Sequence, residues 1–179
     1  MRYFFKLAEN IQVLPIMAAL ARQPGLWNAD NCRREFDNTP HLATDDVLLR
    51  FGVKGSTTPG EDLEAIDRPV MGQLPGVREQ VLNIMRLVNG SRLGRVIITR
   101  LEPGKKILAH KDVMGAYSEY YTRYHLVLQG FPGSMFNCGD ETVHMLTGEL
   151  WYFNAREEHS VTNNSKDDRV HMLIDVRID

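Results

Sequence analysis

Two histidines and an aspartate in the second half of the chain have the types and spacing of metal ligands. His110 and Asp112 are two residues apart, and alternation along an extended segment puts both side chains on the same side. His159 follows 49 residues after His110. Two histidines and one carboxylate form the facial triad that binds non-haem Fe(II) and leaves open coordination positions for other ligands. These three residues are therefore candidate iron ligands.

The His-x-Asp spacing is weak evidence by itself. The chain has 23 acidic residues among 179, and six histidines. Roughly 0.8 matches to a histidine with an acid two places later are therefore expected by chance. A surface His-Lys-Asp turn is the simpler interpretation of the motif alone. The metal hypothesis thus depends on the residues around it.

The strand-like run RVHMLIDVR at residues 169–177 has two different faces. By alternation, one face is core-like (Val170, Met172, Ile174, Val176) and the other is not (Arg169, His171, Leu173, Asp175). An arginine that points into a barrel needs an anion for its planar fork of donors, and a dicarboxylate cosubstrate is such an anion. A sheet-edge arginine paired with Asp167 or Asp168 is the alternative that the residues leave open.

A further ionisable pair lies in the apolar run YTRYHLVLQG at residues 121–130. Arg123 and His125 alternate on one face of this run, so both can point into one cavity. Buried ionisable groups are costly unless they are paired or bind a ligand. Either bound carboxylates pair with Arg123 and His125, or these two residues have only a structural role.

Short strands must position all of these residues. After Gly90, eight runs rich in Val, Ile, Leu, Tyr and Phe alternate with turn residues, at spacings typical of a β-sandwich or barrel. The runs are GRVIITRL, KKILAH, YTRYHLVLQG, SMFNCG, ETVHML, ELWYF, HSVTN and RVHMLIDVRI. They predict a double-stranded β-helix (jelly-roll, cupin-like) core over residues 91–179 that contains the metal site.

The first half of the chain is mixed. Helical periodicity predicts helices over residues 11–22 and 76–90, and an apolar run predicts a strand over 46–52. Loops are expected over 28–45 and 55–69, the second long enough for a lid or binding segment. We expect residues 1–179 to form a single domain, mostly β with flanking helices (α+β), in which residues 1–90 buttress the barrel and supply substrate loops.

Composition narrows the function classes. The net charge is −2, with 43% hydrophobic and 25% charged residues, as in ordinary soluble globular proteins. There is no basic footprint for nucleic acid, and no apolar run suits a membrane span, so neither partner is expected. The two cysteines, Cys32 and Cys138, are far apart and suggest reduced thiols, which favours the cytoplasm.

Three segments resemble the aspartyl/asparaginyl β-hydroxylase branch of the Fe(II)/2-oxoglutarate-dependent dioxygenases. TRLEPGKKILAH resembles the family's strand, its L-x-P-G turn and its first iron histidine, eleven residues after a hydroxyl residue, here Thr99. RYHLVL is similar to the family's R-x-H-L strand. GELWYFNAREEHSV, followed by Arg169, resembles its second histidine strand and the arginine ten residues later. The resemblance covers about residues 94–178.

This resemblance implies the roles of the site residues. His110, Asp112 and His159 would hold Fe(II), and Arg169 with the Thr99 hydroxyl would bind the distal carboxylate of 2-oxoglutarate. His125, together with Arg123, would contact the other carboxylate of the cosubstrate or the substrate. The animal enzymes that give the family its name lack the acidic ligand that Asp112 supplies here. Bacterial relatives, and hydroxylases of free proline, use the same H-x-D arrangement.

The implied reaction is hydroxylation of an unactivated C–H bond, with consumption of O2 and release of succinate and CO2. We expect the substrate to be an amino-acid side chain in a peptide or protein, with a free amino acid such as proline as the alternative. A metal-dependent cupin enzyme without 2-oxoglutarate is a rival, but it has no use for Arg169. A non-enzymatic jelly-roll binding module is a second rival. His41 and His144 are expected in turns or on the surface. His171 shares the face of Arg169, but a place at the border of the site is the less favoured interpretation for it.

Overall fold

The computed structural model describes residues 1–34, 39–52, 65–113 and 116–179. Within these ranges the chain forms eleven strands and three α-helices. The helices are α1 (Leu14–Arg22), α2 (Val77–Leu87) and α3 (Ala116–Tyr120). The strands are β1 (Phe4–Ala8), β2 (Thr44–Gly52), β3 (Ala65–Asp67), β4 (Arg92–Leu101), β5 (Lys106–His110), β6 (Tyr121–Gln129), β7 (Ser134–Cys138), β8 (Glu141–Val143), β9 (Leu150–Phe153), β10 (His159–Asn163) and β11 (Arg169–Arg177).

The strands form two antiparallel sheets. The larger sheet has the order β1-β9-β6-β11-β4-β2-β3, and the smaller has the order β5-β10-β7-β8. From β4 onward the chain passes back and forth between the two sheets, which is the arrangement of a jelly roll. The eight runs predicted after Gly90 correspond to β4–β11. The predicted double-stranded β-helix is confirmed.

The flanking helices cover the outer face of the larger sheet. The core-like face of β11 packs there with the buried faces of α1 and α2 in one apolar cluster, which includes Ile16, Leu20, Val81, Ile84 and Met172. Val77, Val81 and Ile84 of α2 recur at helical spacing, which explains why this helix buries one side. The opposite face of the sheet points toward the smaller sheet, and the candidate site lies between them.

The first half of the chain does more than cover the barrel. β1 pairs with β9, with Phe4 opposite Phe153, and β2 pairs with β4. β1 and β3 lie where no strand is predicted, because β1 buries only Phe4 fully and β3 has just three residues. Residues 55–64 of the predicted lid loop lie outside the described residues. No helix of the described chain is long and apolar enough to cross a membrane.

Candidate metal and cosubstrate site

Strand pairing brings the two candidate histidine ligands together. His110 ends β5 and His159 begins β10, and the two residues are register partners in the smaller sheet. Their ring centroids are 4.2 Å apart. Asp112 follows β5 directly, and one potential ligand atom from each of the three residues lies within 4.8 Å of the other two. The three side chains thus converge on one point.

Main-chain carbonyls determine the tautomer of both histidines. His110 Nδ1 lies 2.7 Å from the carbonyl oxygen of Leu108, and His159 Nδ1 lies 2.9 Å from that of Glu157. A carbonyl oxygen can only accept a hydrogen bond, so each Nδ1 carries the proton. Each Nε2 then keeps a lone pair, as a neutral imidazole ligand requires. Burial lowers the pKa of His159, which keeps its ring neutral.

The two oxygens of Asp112 have different neighbours. Oδ1 lies 3.5 Å from His110 Nε2, whereas Oδ2 accepts a hydrogen bond of 2.6 Å from Nη1 of Arg123. Burial by itself would raise the pKa of Asp112, but the Arg123 guanidinium and the two histidines hold it well below its usual range. The carboxyl is therefore ionised and ready to bind a cation.

Arg123 meets two carboxylates of its own chain. Besides Asp112, it binds Asp175 of β11 through two hydrogen bonds, of 2.7 Å from Nε and 2.9 Å from Nη2. Burial alone would lower the pKa of Arg123, but these two carboxylates raise it above its ordinary value. If Arg123 also binds the cosubstrate or the substrate, it does so while it remains paired with these two carboxylates.

Arg169 is buried next to the three ligands, and no carboxylate of the described residues is paired with it. Within the described ranges, no acidic side chain lies within ion-pair distance of its guanidinium, which instead contacts the Phe136 ring at 5.5 Å and His171 Nδ1 at 3.1 Å. Burial lowers the pKa of Arg169 to about 9. A buried guanidinium with no counter-charge is costly, so the site is suited to an anion.

Thr99, on the neighbouring strand β4, is the register partner of His171. Its hydroxyl oxygen is buried and has no hydrogen-bond partner in the described chain. A buried polar atom without a partner costs on the order of 1–3 kcal/mol, which a ligand would remove. Thr99 and Arg169 line the same cleft as His110, Asp112 and His159. The anion-binding role implied for these two residues stays a prediction.

His125 and His171 form a buried pair behind Arg169. Their Nδ1 atoms are 3.3 Å apart, and burial lowers the pKa of both rings well below the ordinary value, so both are neutral. Arginine only donates, so His171 Nδ1 accepts from Arg169. His125 Nδ1 must then be the donor in the contact between the two rings. The Nε2 atom of His125 remains as an acceptor without a partner among the described residues.

His41 is a neighbour of the site that its sequence context does not reveal. It lies in a turn, as expected, but its ring is 5.1 Å from the His110 ring and lines the ligand cleft. Burial lowers its pKa to about 2, and its Nδ1 has no partner in the described chain. Arg33, held at 2.9 Å by Asp46, lines the same cleft. His144, by contrast, is exposed as predicted.

A larger cavity opens beside the ligands. It has a volume of about 410 Å³ and is lined by Asp112, Tyr117, Arg123, Tyr152 and Phe153, among others. It shares Asp112, Arg123 and Phe153 with the cleft that contains Arg169. The donor set, two imidazole Nε2 atoms and one ionised carboxylate, fits Fe(II). The buried Arg169 and Thr99 beside it fit a carboxylate of a metal-bound cosubstrate.

Comparison with known protein families identifies the family of this chain. The profile of the aspartyl/asparaginyl beta-hydroxylase family matches residues 65–178. The chain belongs to this family. The match covers more than half of the chain and includes all seven residues that were predicted for the site (Thr99, His110, Asp112, Arg123, His125, His159, Arg169). The family predicted from the sequence is confirmed.

The curated relatives include L-proline hydroxylases. L-proline cis-4-hydroxylase of Rhizobium meliloti (strain 1021) is 36% identical over 174 residues, which are 95% of this chain and 56% of that protein. L-proline cis-3-hydroxylase 1 of a Streptomyces species is 28% identical over 109 residues, or 60% of this chain and 36% of that protein. The chain thus spans about half, or less, of the length of these relatives.

Solved structures agree on the fold. A prolyl hydroxylase from Trichoplax adhaerens, in complex with a peptide fragment of the hypoxia inducible factor oxygen degradation domain, superimposes with a TM-score of 0.60. The alignment covers 97% of this chain and 83% of that one, at 12% sequence identity. At this identity the likeness supports the jelly-roll fold alone.

Proposed function

We propose that this protein is an Fe(II)/2-oxoglutarate-dependent hydroxylase of a free amino acid, with L-proline as the first candidate. The observation that carries the proposal is the convergence of His110, Asp112 and His159 next to a buried arginine, Arg169, that has no carboxylate partner in the described chain. A metal site alone would suit many cupins. A metal site beside an anion site suits a metal-bound dicarboxylate.

In this proposal the chain contributes the metal ligands and the groups that orient the cosubstrate. The Nε2 atoms of His110 and His159 and one oxygen of Asp112 hold the metal. Arg169 binds the distal carboxylate of 2-oxoglutarate with a bidentate fork, and the Thr99 hydroxyl donates a further hydrogen bond to it. Iron with 2-oxoglutarate and O2 supplies the oxidising chemistry that replaces C–H by C–OH, with release of succinate and CO2.

His125 and Arg123 complete the proposed site from β6. His125 would contact the second carboxylate of the cosubstrate or the substrate. A carboxylate accepts hydrogen bonds, so His125 would have to shift its proton to Nε2 when one binds; a substrate ammonium would need no such shift. Arg123 retains N–H groups beyond its bonds to Asp112 and Asp175, and its side chain lines the larger cavity. A substrate carboxylate there would be a suitable partner.

A free amino acid is favoured as the substrate over an amino-acid side chain within a peptide. The named activities of the curated relatives concern L-proline, and one of them aligns over 95% of this chain. The cavity of about 410 Å³ is large enough for a small amino acid and carries both signs of charge, from Asp112, Arg123 and Asp175. The solved prolyl hydroxylase with a bound peptide keeps the peptide alternative open for this fold.

An anaerobic titration followed by a turnover screen tests the proposal. Fe(II) and then 2-oxoglutarate are added without O2, and binding is followed by calorimetry and by the metal-to-ligand charge-transfer band. With O2 admitted, succinate release is measured with L-proline, with other free amino acids, and with N-acetyl-proline amide, which lacks both charges of the free amino acid. We expect release to depend on L-proline or another free amino acid and to stay at background with the blocked compound.

The other outcomes point to the rivals. Turnover with N-acetyl-proline amide but not with free amino acids would favour the alternative in which the substrate is a residue within a peptide. Metal binding without 2-oxoglutarate binding would favour a different metal-dependent cupin enzyme, and binding of neither would favour a jelly-roll binding module.

The cytoplasmic location expected from the two isolated cysteines stays a prediction, and its test is fractionation of the native host.

A further inference from the structure

Asp175 is a buried carboxylate that no proposed catalytic step uses. It lies on β11, on the same face as Arg169, and is the register partner of Arg123 on β6. Both of its oxygens bind Arg123, and Oδ2 also accepts a hydrogen bond of 3.0 Å from the hydroxyl of Tyr117. The Tyr117 hydroxyl in turn accepts one of 2.9 Å from the backbone N–H of Arg95. Asp175 is thus held on two sides.

The effect of this arrangement reaches Asp112. With Nε and Nη2 bound to Asp175, the guanidinium plane of Arg123 is oriented so that Nη1 contacts Asp112 Oδ2 at 2.6 Å. Oδ2 is then directed at Arg123, and Oδ1 is the oxygen near His110 Nε2, at 3.5 Å. Oδ1 is therefore the oxygen of Asp112 that lies beside a histidine ligand atom and does not accept this hydrogen bond from Arg123.

We propose that Asp175 is a positioning residue that acts through Arg123 to make Asp112 bind the metal through one oxygen. This inference rests on the metal site of the proposed function and assigns a role to a residue that the function itself does not need. A carboxylate with both oxygens free can chelate a metal and occupy an additional coordination position. Holding Oδ2 away leaves that position open for cosubstrate, O2 or substrate.

The pairing is suited to this role for two physical reasons. Arg123 and Asp175 join through two parallel hydrogen bonds. This bidentate geometry restricts both the direction and the length of the hydrogen bond from Arg123 to Asp112. Both residues lie on adjacent strands in the middle of the larger sheet, so their separation is set by backbone hydrogen bonds of the β6–β11 pair. Such outer partners of metal ligands typically change metal affinity by about 10- to 100-fold when they are removed.

The test uses Co(II) as the probe, because its visible absorption reports coordination. Asp175→Asn keeps the shape of the side chain but places an amide N–H₂ where one carboxylate oxygen accepted from Arg123. We expect the full-length variant without 2-oxoglutarate to bind Co(II) about 10- to 100-fold more weakly than wild type, with changed visible bands. A folded Asp175→Asn protein with wild-type Co(II) affinity and spectrum would overturn the inference.

A double-mutant cycle separates positioning through Arg123 from a general loss of negative charge. In an Arg123→Gln background the partner is already absent, so adding Asp175→Asn should change Co(II) affinity by less than about 2-fold. Equal losses in both backgrounds would contradict the proposed route. Asp45→Asn is the matched control, because Asp45 also binds an arginine, Arg100, at 2.6 Å on the larger sheet but does not contact a ligand. It should leave Co(II) affinity unchanged.

Arg123→Lys provides the test if Asp175→Asn does not fold. Lysine keeps the charge but lacks the fork that joins Asp175 to Asp112, so Co(II) affinity should again fall by about 10-fold or more. Unchanged affinity would overturn the inference, since Asp175 acts only through this residue. The failure of the proposed function is distinct. It would appear as a wild-type protein that binds no metal, or that binds metal but not 2-oxoglutarate.

Discussion

His110 and His159 are register partners across the β5–β10 pair, and each Nδ1 is hydrogen-bonded to the main-chain carbonyl two residues before it. Both rings therefore present Nε2 to the same point by the same local device. The geometry of the metal site follows from strand pairing and from the conformation of two short chain segments. A shift of either strand by one residue would turn a ligand to the other face of the sheet.

Removal of either histidine should abolish tight metal binding. In His110→Ala or His159→Ala, two ligands remain, and two cannot hold a labile ion such as Fe(II) as well as three. Calorimetric titration with Fe(II) under anaerobic conditions, or with Mn(II), measures the loss. His144→Ala is the control, because His144 is exposed and does not line the cleft that contains the candidate ligands. Iron affinity within error of wild type for both ligand variants would refute the triad.

The Asp112 ligand should be less critical than the histidines. The family resemblance implies that animal members function without this acid, so Asp112→Ala should weaken metal binding and strongly reduce turnover without abolishing either. The variant also leaves Arg123 with Asp175 alone, which keeps its charge paired. Metal titration and succinate release, measured on the same preparation, separate the two effects. An Asp112→Ala protein with unchanged metal affinity would remove this residue from the ligand set.

The strands that carry the site were predictable because each buries one face. β11 shows this best: its apolar residues pack under the helices, whereas Arg169 and His171 point between the sheets, as alternation predicts. β1 was not predictable, because an edge strand that buries only Phe4 fully has no period-two pattern. Helix α1 begins at Leu14 instead of residue 11, next to Pro15 in its first turn.

The partners within the site depend on register, which a single sequence does not reveal. Alternation predicts that Asp175 lies on the inner face of β11. It does not predict that the register partner of Asp175 is Arg123, 52 residues earlier. The position of His41 is even harder to predict from the sequence, because His41 lies in a turn with no periodicity. Only the tertiary fold brings its ring close to His110. The sequence therefore predicts which residues face the interior better than it predicts which of them touch.

Loss of Arg169 should affect the cosubstrate and not the metal. Arg169→Ala removes one partner of a buried charge pair, which costs on the order of 2–5 kcal/mol, or roughly 30- to several-thousand-fold in 2-oxoglutarate affinity. Arg169→Lys should not restore it, because lysine lacks the planar fork. Calorimetry or the charge-transfer band of the Fe(II) form measures 2-oxoglutarate binding, with metal affinity determined in parallel.

Arg100→Ala is the matched control for Arg169. Arg100 lies on the adjacent strand β4 but pairs with Asp45 and stacks on Trp27 at 4.6 Å, away from the ligand cleft. It should leave 2-oxoglutarate affinity unchanged. A folded Arg169→Ala protein that binds 2-oxoglutarate like wild type would refute the cosubstrate assignment, and the metal-dependent cupin without 2-oxoglutarate would become the better reading.

Gly94 should tolerate no side chain, because Tyr117 lies directly over it. A Cβ atom at this position would be 2.5 Å from the Tyr117 hydroxyl and 2.7 Å from the Tyr121 ring, and these two rings stack at 4.4 Å. Gly94→Ala should therefore destabilise the fold by about 1–3 kcal/mol, as overpacking does. Thermal unfolding measures the loss. Gly72→Ala is the control, since nothing lies within 4 Å of its Cβ position, and a change of equal size there would contradict the steric explanation.

The last prediction concerns His171, whose Nδ1 accepts from Nη2 of Arg169 at 3.1 Å. Arg169 has no carboxylate partner in the described chain, so this contact orients its guanidinium before an anion arrives. His171→Leu removes the acceptor at similar volume, and the arginine then has to be ordered by the ligand itself. We expect 2-oxoglutarate affinity to fall roughly 10-fold, which corresponds to about 1.4 kcal/mol. Calorimetry on the Mn(II) form measures it.

His171→Asn is the matched variant, because the amide oxygen of asparagine can occupy the place of Nδ1 and accept the same hydrogen bond. It should retain 2-oxoglutarate affinity to within about 3-fold, a difference of roughly 0.6 kcal/mol. Metal affinity should stay at the wild-type value in both variants, since His171 does not belong to the ligand set. Equal losses in the leucine and asparagine variants would mean that the ring serves packing, and that the hydrogen bond to Arg169 does not prepare the anion site.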